Sequence, residues 1–263
     1  MKPLNPTLEK IARKAGDLLK KARLEGPGWI DQKGLNDFVT ETDKACENLI
    51  QAELAHDFPG IPLMSEEGAG EATGREGAFF LVDPLDGTNN FVHGIPIYCI
   101  CIGFVENGRP VRGVVYDPIH EEMYSAEDGK GALLNGSPIH TSEQTSLEGA
   151  FLATGFPFKE MGRLDLYTRG FKRVVLGSGG LRRCGSAALD MCWTAAGRFD
   201  GFWELGLKPW DMAAGSAILR EAGGSVTDPA GGEGFLFGGD IVAAATVALN
   251  AELRAALNGE NRS

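Results

Sequence analysis

Apolar positions at Leu8, Ile11, Ala12, Ala15, Leu18, Leu19 and Ala22, with charges between them, repeat at helical spacing and predict an amphipathic helix over 7–24. Gly26-Pro27-Gly28 ends it. A second helix is predicted from near Thr42 to Asp57, stopped by Pro59-Gly60, with Asp43 in its first turn, where the helix dipole favours a carboxylate. The pattern then turns to strands: FFLV at 79–82, IPIYCICIGFV at 95–105 and VRGVVYD at 111–117. Asn107-Gly108 reads as the hairpin turn between the last two, and Asn135-Gly136 as another turn. Helical spacing returns at 186–197 and 211–222, the first ending on Gly197 and the second followed by Gly223, with strand-like runs at 224–227 and 241–247 and a last helix at 249–257. Helices mixed with hairpin-linked strands predict an α+β protein of packed layers. A soft boundary at 140–150 divides it into halves 1–145 and 146–263, working as one compact unit.

Composition narrows the function. A chain of 263 residues with 43% hydrophobic residues builds its core without staples. Its 25 basic and 36 acidic residues give a formal charge of −11, which argues against a generic nucleic-acid or anionic-membrane surface. No apolar run reaches the length of a membrane span, and the first residues, MKPLNPTLEK, lack a signal-peptide core, so a soluble, cytoplasmic protein is expected. Five cysteines (Cys46, Cys99, Cys101, Cys184, Cys192) without a CxxC pair read as reduced, mostly buried thiols. Cys99 and Cys101, two apart, share one face of a strand and are assigned to core packing. The four scattered histidines form no HxxxH or HxH pair, which argues against a zinc site.

The chemistry-bearing stretch is Leu81-Val82-Asp83-Pro84-Leu85-Asp86-Gly87-Thr88-Asn89-Asn90. A buried strand is expected to end at Asp83, and the Pro-Leu turn aims two carboxylates and the Leu85 carbonyl at one point. Hard divalent cations such as Mg²⁺ take oxygen ligands of this kind. Gly87-Thr88-Asn89-Asn90 reads as a helix or turn opening whose N–H groups receive a phosphate, or more plainly as a polar capped turn. Ser65-Glu66-Glu67-Gly68 and Trp210-Asp211-Met212 place further acids at element ends. Singly these read as solvated charges or helix caps; together they suit a multi-metal site.

These stretches resemble the inositol monophosphatase family of lithium-sensitive, magnesium-dependent phosphatases, above all its bacterial SuhB-type branch. The resemblance is carried by DPLDGTNNFVHG at 83–94 and WDMAAGSAILREAGG at 210–224, supported by KGLNDFVTETD at 33–43, SEEG at 65–68 and GSAALDMCWTAAGRFDGFWELGLKPWD at 185–211. It implies a layered αβαβα sandwich, usually a homodimer, with two to three Mg²⁺ per site. By resemblance, Glu66, Asp83 and the Leu85 carbonyl hold the first Mg²⁺. Asp83, Asp86 and Asp211 hold the second, and Glu66 serves a loosely bound third. Gly87 and Thr88 receive the phosphate, and Thr88, linked to Asp43, activates the attacking water. Gly185, Ser186, Ala187 and Glu204 line the polyol pocket, and Lys33 matches a loop lysine. Thus Glu66, Leu85, Asp86, Gly87, Thr88 and Asp211 also count among the residues meeting the substrate.

The implied activity is hydrolysis of a small phosphorylated polyol or sugar, first of all inositol 1-phosphate. Fructose 1,6-bisphosphate, histidinol phosphate, NADP and adenosine bisphosphate remain alternatives within the fold. No partnered Cys, His or Asp nucleophile is visible, so direct attack by water is expected over a phosphoenzyme. A haloacid-dehalogenase reading fails, because its nucleophilic Asp would fall on Pro84. Some SuhB-type relatives are associated with the transcription apparatus. The pairs Lys172-Arg173 and Arg182-Arg183 are the candidate residues for such a partner, with ordinary surface or dimer-interface charge as the plainer reading.

Overall fold

The computed structural model describes residues 4–26, 28–34, 37–68, 76–158 and 160–259, and within 32–38 the backbone only. Its elements begin with α1 (Leu4–Glu25), β1 (Ile30–Gly34), β2 (Asp37–Thr40), α2 (Glu41–Asp57), β3 (Leu63–Ser65), β4 (Ala78–Asp86), α3 (Thr88–His93) and β5 (Cys99–Glu106). Next come β6 (Arg109–Asp117), β7 (Glu122–Glu127), β8 (Ala132–Leu134), β9 (Ser137–Ile139), β10 (Phe151–Thr154), α4 (Leu164–Gly177) and β11 (Gly180–Arg182). The chain closes with α5 (Ala187–Ala195), β12 (Gly201–Glu204), α6 (Pro209–Glu221), β13 (Ser225–Thr227), α7 (Phe235–Gly238), β14 (Ile241–Ala244) and α8 (Val247–Asn258).

Strand β5 shows why the sheets are layered. Cys99, Cys101 and Val105 face one core, while Ile100, Ile102 and Phe104 face another. Neighbouring β4 does the same, with Phe79 and Leu81 on one side and Phe80 and Val82 on the other. A strand apolar on both faces must be covered on both. On the side of the seven-stranded sheet (order β3-β4-β5-β6-β7-β8-β9) that carries Phe80, Val82, Ile100 and Ile102 lie α1 and α2, whose Leu8, Ile11, Ala15, Leu19 and Ile50 fill the space. On the other side lie α6, packed on β5 and β6, and α5, packed on the second sheet. That sheet has five strands in the order β11-β10-β12-β14-β13, and α4 and α8 cover its outer face through Tyr167, Val174, Leu249 and Leu253. The layers alternate αβαβα, as the sequence resemblance implies.

Close approach of α6 to its sheet depends on two glycines. Gly103 and Gly113 are register partners on β5 and β6. A Cβ at Gly113 would lie 2.2 Å from the Ala214 carbonyl oxygen, and one at Gly103 would lie 2.7 Å from the Ala213 Cβ. Without side chains there, the helix settles onto the strands and brings its first turn, with Asp211, to their edge.

Several boundaries differ from expectation. Strand β4 does not end at Asp83 but continues through Pro84 and Leu85 to Asp86, with a shift in register against β5 between Asp83 and Asp86. β3 pairs with β4 only at Phe80, Leu81 and Val82, so Pro84 lacks a ladder partner on that side and its missing N–H costs nothing. The strand expected over 95–105 begins only at Cys99, because Ile95–Tyr98 forms the return from α3. At Asn107 and Gly108, φ is +50° and +79°, the pairing that a two-residue hairpin turn requires, and Asn135 and Gly136 repeat it. The sequence pattern does not predict α4, α7 or the strands β1, β2, β3 and β7 to β12, which are short or mixed in polarity.

Candidate active site

The site is assembled from the ends of elements in both sheets. A cleft of about 150 Å³ is lined by Glu66, Asp83, Leu85, Asp86, Gly87, Thr88, Gly185, Ala187, Glu204 and Asp211. Ten of the sequence-nominated residues therefore share one wall. Glu66 follows β3, with its N–H bonded to the Val82 carbonyl at 3.2 Å. The bulged end of β4 supplies Asp83, Leu85 and Asp86, while α3 opens at Thr88. Asp211 is the third residue of α6, and its carboxylate accepts the Lys208 N–H at 2.8 Å, with Pro209 at the helix start where its missing donor is harmless. Glu204 ends β12, and a Cβ on Gly155 would come within 2.0 Å of its carboxyl group, so that glycine makes the room for Glu204.

Asp83 is 2% exposed, and its Oδ1 accepts the Leu85 N–H at 2.9 Å. Burial first, then the charges of Glu66, Asp86 and Asp211, push its carboxyl well above the usual range. Burial also raises Asp86, against the opposing pull of hydrogen bonds from Ser186 and Ala188. Carboxylates this crowded repel one another unless a cation lies between them. The donors are all oxygens, four carboxylates and the Leu85 carbonyl, which fits hard Mg²⁺.

Two nominated residues stand behind the wall. Asp43 is 1% exposed and closes a capping box with Thr40: Asp43 Oδ2 accepts from the Thr40 N–H at 2.8 Å and from the Thr40 hydroxyl. Its Oδ1 lies 3.1 Å from Thr88 Oγ1, which also lies 2.9 Å from the Leu85 carbonyl oxygen. Burial raises the Asp43 carboxyl, and bonds from Thr40 and Thr88 oppose the rise. Ser186, expected in the pocket wall, is instead buried. Its hydroxyl donates to Asp86 Oδ2 at 2.6 Å and caps α5 by accepting the Leu189 N–H at 3.3 Å. Together with the Ala188 N–H at 2.8 Å, it fixes Asp86 from the opposite half of the chain. The Lys33 side chain lies outside the described residues.

Asn90 was missed as a site residue. Its Nδ2 donates to the Ile97 carbonyl at 2.8 Å and to the Cys184 carbonyl at 2.9 Å, tying α3 to the loop that carries Gly185. Nothing in the local sequence signals a bond 94 residues away. Of the basic pairs, Lys172, Arg182 and Arg183 are exposed, as surface charge would be. Arg173 donates to the Ala256 and Leu257 carbonyls at the end of α8, Arg182 lies over the Phe151 ring, and Arg183 lines the cleft over Phe156 and Phe158. Three of the four therefore have intramolecular places.

The model of the inositol monophosphatase family matches residues 1–262. The chain is 43% identical over 259 residues to the Nus factor SuhB of Pseudomonas aeruginosa, covering 96% of this chain and 95% of that protein. It superposes on the crystal structure of the extragenic suppressor protein SuhB from Bartonella henselae with a TM-score of 0.89 at 38% identity, covering 96% of this chain and 97% of that one. Against the inositol monophosphatase of Anabaena the TM-score is 0.86 at 33% identity, with 97% and 94% covered. The acidic cleft thus sits in a sequence and a fold that agree throughout: the chain belongs to the inositol monophosphatase family.

Proposed function

We propose that this protein is a Mg²⁺-dependent phosphatase that hydrolyses inositol 1-phosphate to inositol and phosphate by direct attack of water. The observation that carries the reading is the convergence of Glu66, Asp83, Asp86, Asp211 and Leu85 in one cleft beside the first turn of α3. Glu66, Asp83 and the Leu85 carbonyl would hold one Mg²⁺; Asp83, Asp86 and Asp211 a second; Glu66 a third, loosely. Bound there, Mg²⁺ supplies charge to offset the phosphate dianion and the departing alkoxide, and acidifies water. Gly87 and Thr88 present N–H groups at a helix start, where they lack intrahelical acceptors and suit a phosphate oxygen. Thr88 orients the attacking water, and Asp43 behind it receives the proton. The halves 1–145 and 146–263 act as one unit, because Asp86 of the first is held by Ser186 and Ala188 of the second. Exposed Met161, Leu164, Leu166 and Leu176, on α4 and the turn before it, support a homodimer.

The deciding experiment is phosphate release with Mg²⁺ from inositol 1-phosphate, fructose 1,6-bisphosphate, histidinol phosphate and NADP. The inositol ester should be turned over fastest, excess EDTA should stop all release, and Li⁺ should inhibit. Full activity in EDTA would remove the metal mechanism. A different leading substrate would move the assignment within the family.

Glu204→Gln separates recognition from catalysis. Glu204 lies in the cleft wall at the end of β12, seven residues before Asp211. The amide keeps the shape but weakens a charge-assisted bond to a ring hydroxyl by roughly 1–2 kcal/mol. We expect kcat/KM for inositol 1-phosphate to fall about 5–30-fold, while esters without a ring of hydroxyls barely respond. Equal impairment of all esters with a shifted Mg²⁺ optimum would assign Glu204 to the metals.

A second reading, association with the transcription apparatus, is supported by the name Nus factor carried by the Pseudomonas relative. No described helix is long and apolar enough to cross a membrane, and cytoplasmic residence is part of the same proposal. Capture of transcription proteins by an Asp83→Asn variant would show that such binding does not need turnover. Failure of both that variant and the wild type to capture them would remove the reading.

A further inference from the structure

Cys99 and Cys101 read from the sequence as core packing, and both are fully buried on the face of β5 that meets the inter-sheet core. The fold adds a third group that sequence order does not announce. The register shift in β4 sets Asp86 opposite Cys99, with Asp86 Oδ2 at 3.9 Å from the Cys99 sulfur. The two sulfurs are 3.6 Å apart, and the Ser186 hydroxyl lies 3.5 Å from the Cys99 sulfur. One ligand atom each from Asp86, Cys99 and Cys101 lies within 4.8 Å of the others. Two Zn–S bonds of about 2.3 Å at a tetrahedral angle place their sulfurs about 3.8 Å apart. The pair is therefore at ligand spacing already. Asp86 also lines the cleft, so the pair of thiols adjoins the acidic site through one shared carboxylate.

We propose that Cys99, Cys101 and Asp86 form a site for one soft divalent cation of the Zn²⁺ or Cd²⁺ class, with the Ser186 hydroxyl at the fourth position, and that filling it inhibits the phosphatase. Thiolate ligands select soft ions, whereas the all-oxygen cleft beside them selects hard ones. The two sites share Asp86. On binding, each thiol gives up its proton to solvent and the ion draws on Asp86 Oδ2. The carboxylate then turns from the cleft and its charge is spent on the soft ion. The inhibitory half of this inference rests on the phosphatase reading; the binding half does not.

The test uses Cd²⁺ as the probe on the intact, metal-free protein. Addition of one equivalent should produce a sulfur-to-cadmium charge-transfer absorption, lost in Cys101→Ala and in Cys99→Ser and retained in Cys184→Ala, whose thiol is not part of the cluster. In phosphate-release assays at saturating Mg²⁺, Cd²⁺ should inhibit the wild type and Cys184→Ala alike. The Cys101→Ala variant should need at least about 10–100-fold more Cd²⁺, the loss that a change merely behind a ligand produces. Absence of the absorption, or its persistence in both Cys101→Ala and Cys99→Ser, overturns the site. Absorption that behaves as expected, with equal Cd²⁺ sensitivity in all variants, overturns the inhibition alone. Because the absorption is read without substrate or Mg²⁺, it decides the site even for a protein that releases no phosphate.

Discussion

Asp83→Asn should lower kcat by about 10³-fold or more on every phosphate ester and yet raise the stability of the metal-free protein. Asp83 is the residue proposed to touch both main cations, so its loss weakens the charge opposing the developing transition state, and one such electrostatic contact is worth about 10²–10³-fold alone. The stability effect has the opposite sign. Without a cation, this buried carboxyl faces Glu66, Asp86 and Asp211, and its pKa stands well above the ordinary 3.8. Above pH 3.8 the unfolded chain has released a proton that the folded, metal-free protein still binds. Its contribution to stability is therefore greatest at low pH and is lost as pH rises through the folded value. An isosteric amide keeps the bond from the Leu85 N–H and does not titrate, so the stability lost as pH rises is not lost in the variant. In EDTA at neutral pH the variant should melt higher than wild type, at about 2–4 °C per kcal/mol relieved. In saturating Mg²⁺ the order should reverse, because only the wild type gains from tight cation binding. A variant that is less stable than wild type in EDTA would make Asp83 a structural hydrogen-bonding residue instead of a cation ligand.

That paired outcome separates what the sequence discloses from what only the fold supplies. The acids at 83 and 86 are legible as a site only together with Glu66 and Asp211, because two carboxylates around a proline also suit a polar capped turn. The same proline misleads about backbone. It predicts a turn, but the register shift against β5 and the absence of a β3 partner on the other side accommodate it, and the strand runs on to Asp86. Alternation along β5 is invisible as periodicity, since from Cys99 to Val105 both faces are buried and every position is apolar or glycine. Ser186 shows a second limit. Its place in a GSAALD motif suggests a pocket wall, while its partner, Asp86, is 100 residues earlier and is met only when the sheets stack. Strands of three or four residues such as β10 and β12 take their conformation from the sheet they join, so their local sequence carries little signal. Chemistry was legible where it is local; support for that chemistry comes from across the interface between the halves.

The same division governs Thr88→Ala, for which we expect kcat to fall about 10²–10³-fold with KM nearly unchanged, the range of one positioned proton-transfer or orienting group. Thr88 Oγ1 carries one proton and has two acceptors near it, the Leu85 carbonyl at 2.9 Å and Asp43 Oδ1 at 3.1 Å. With Asp43 ionised, the proton satisfies one acceptor at a time, and the hydroxyl keeps its lone pairs toward the cleft. In the proposed relay, Thr88 would accept a proton from the attacking water as its own passed to Asp43. Asp43 suits this task because burial raises its carboxyl above the usual range and makes it a stronger base, while the Thr40 cap holds Oδ2 fixed and leaves Oδ1 toward Thr88. The wild-type rate should therefore fall with acidification at a higher pH than an ordinary carboxylate would give, as Asp43 takes up its proton. Thr88→Ser keeps the hydroxyl and should recover most of the rate, whereas Thr88→Ala should lose that acid limb along with its activity. Steady-state kinetics across pH for the three proteins decides the matter. A large rise in KM with kcat intact would make Thr88 a phosphate-binding residue, and an unchanged acid limb in Thr88→Ala would take Asp43 out of the proton path.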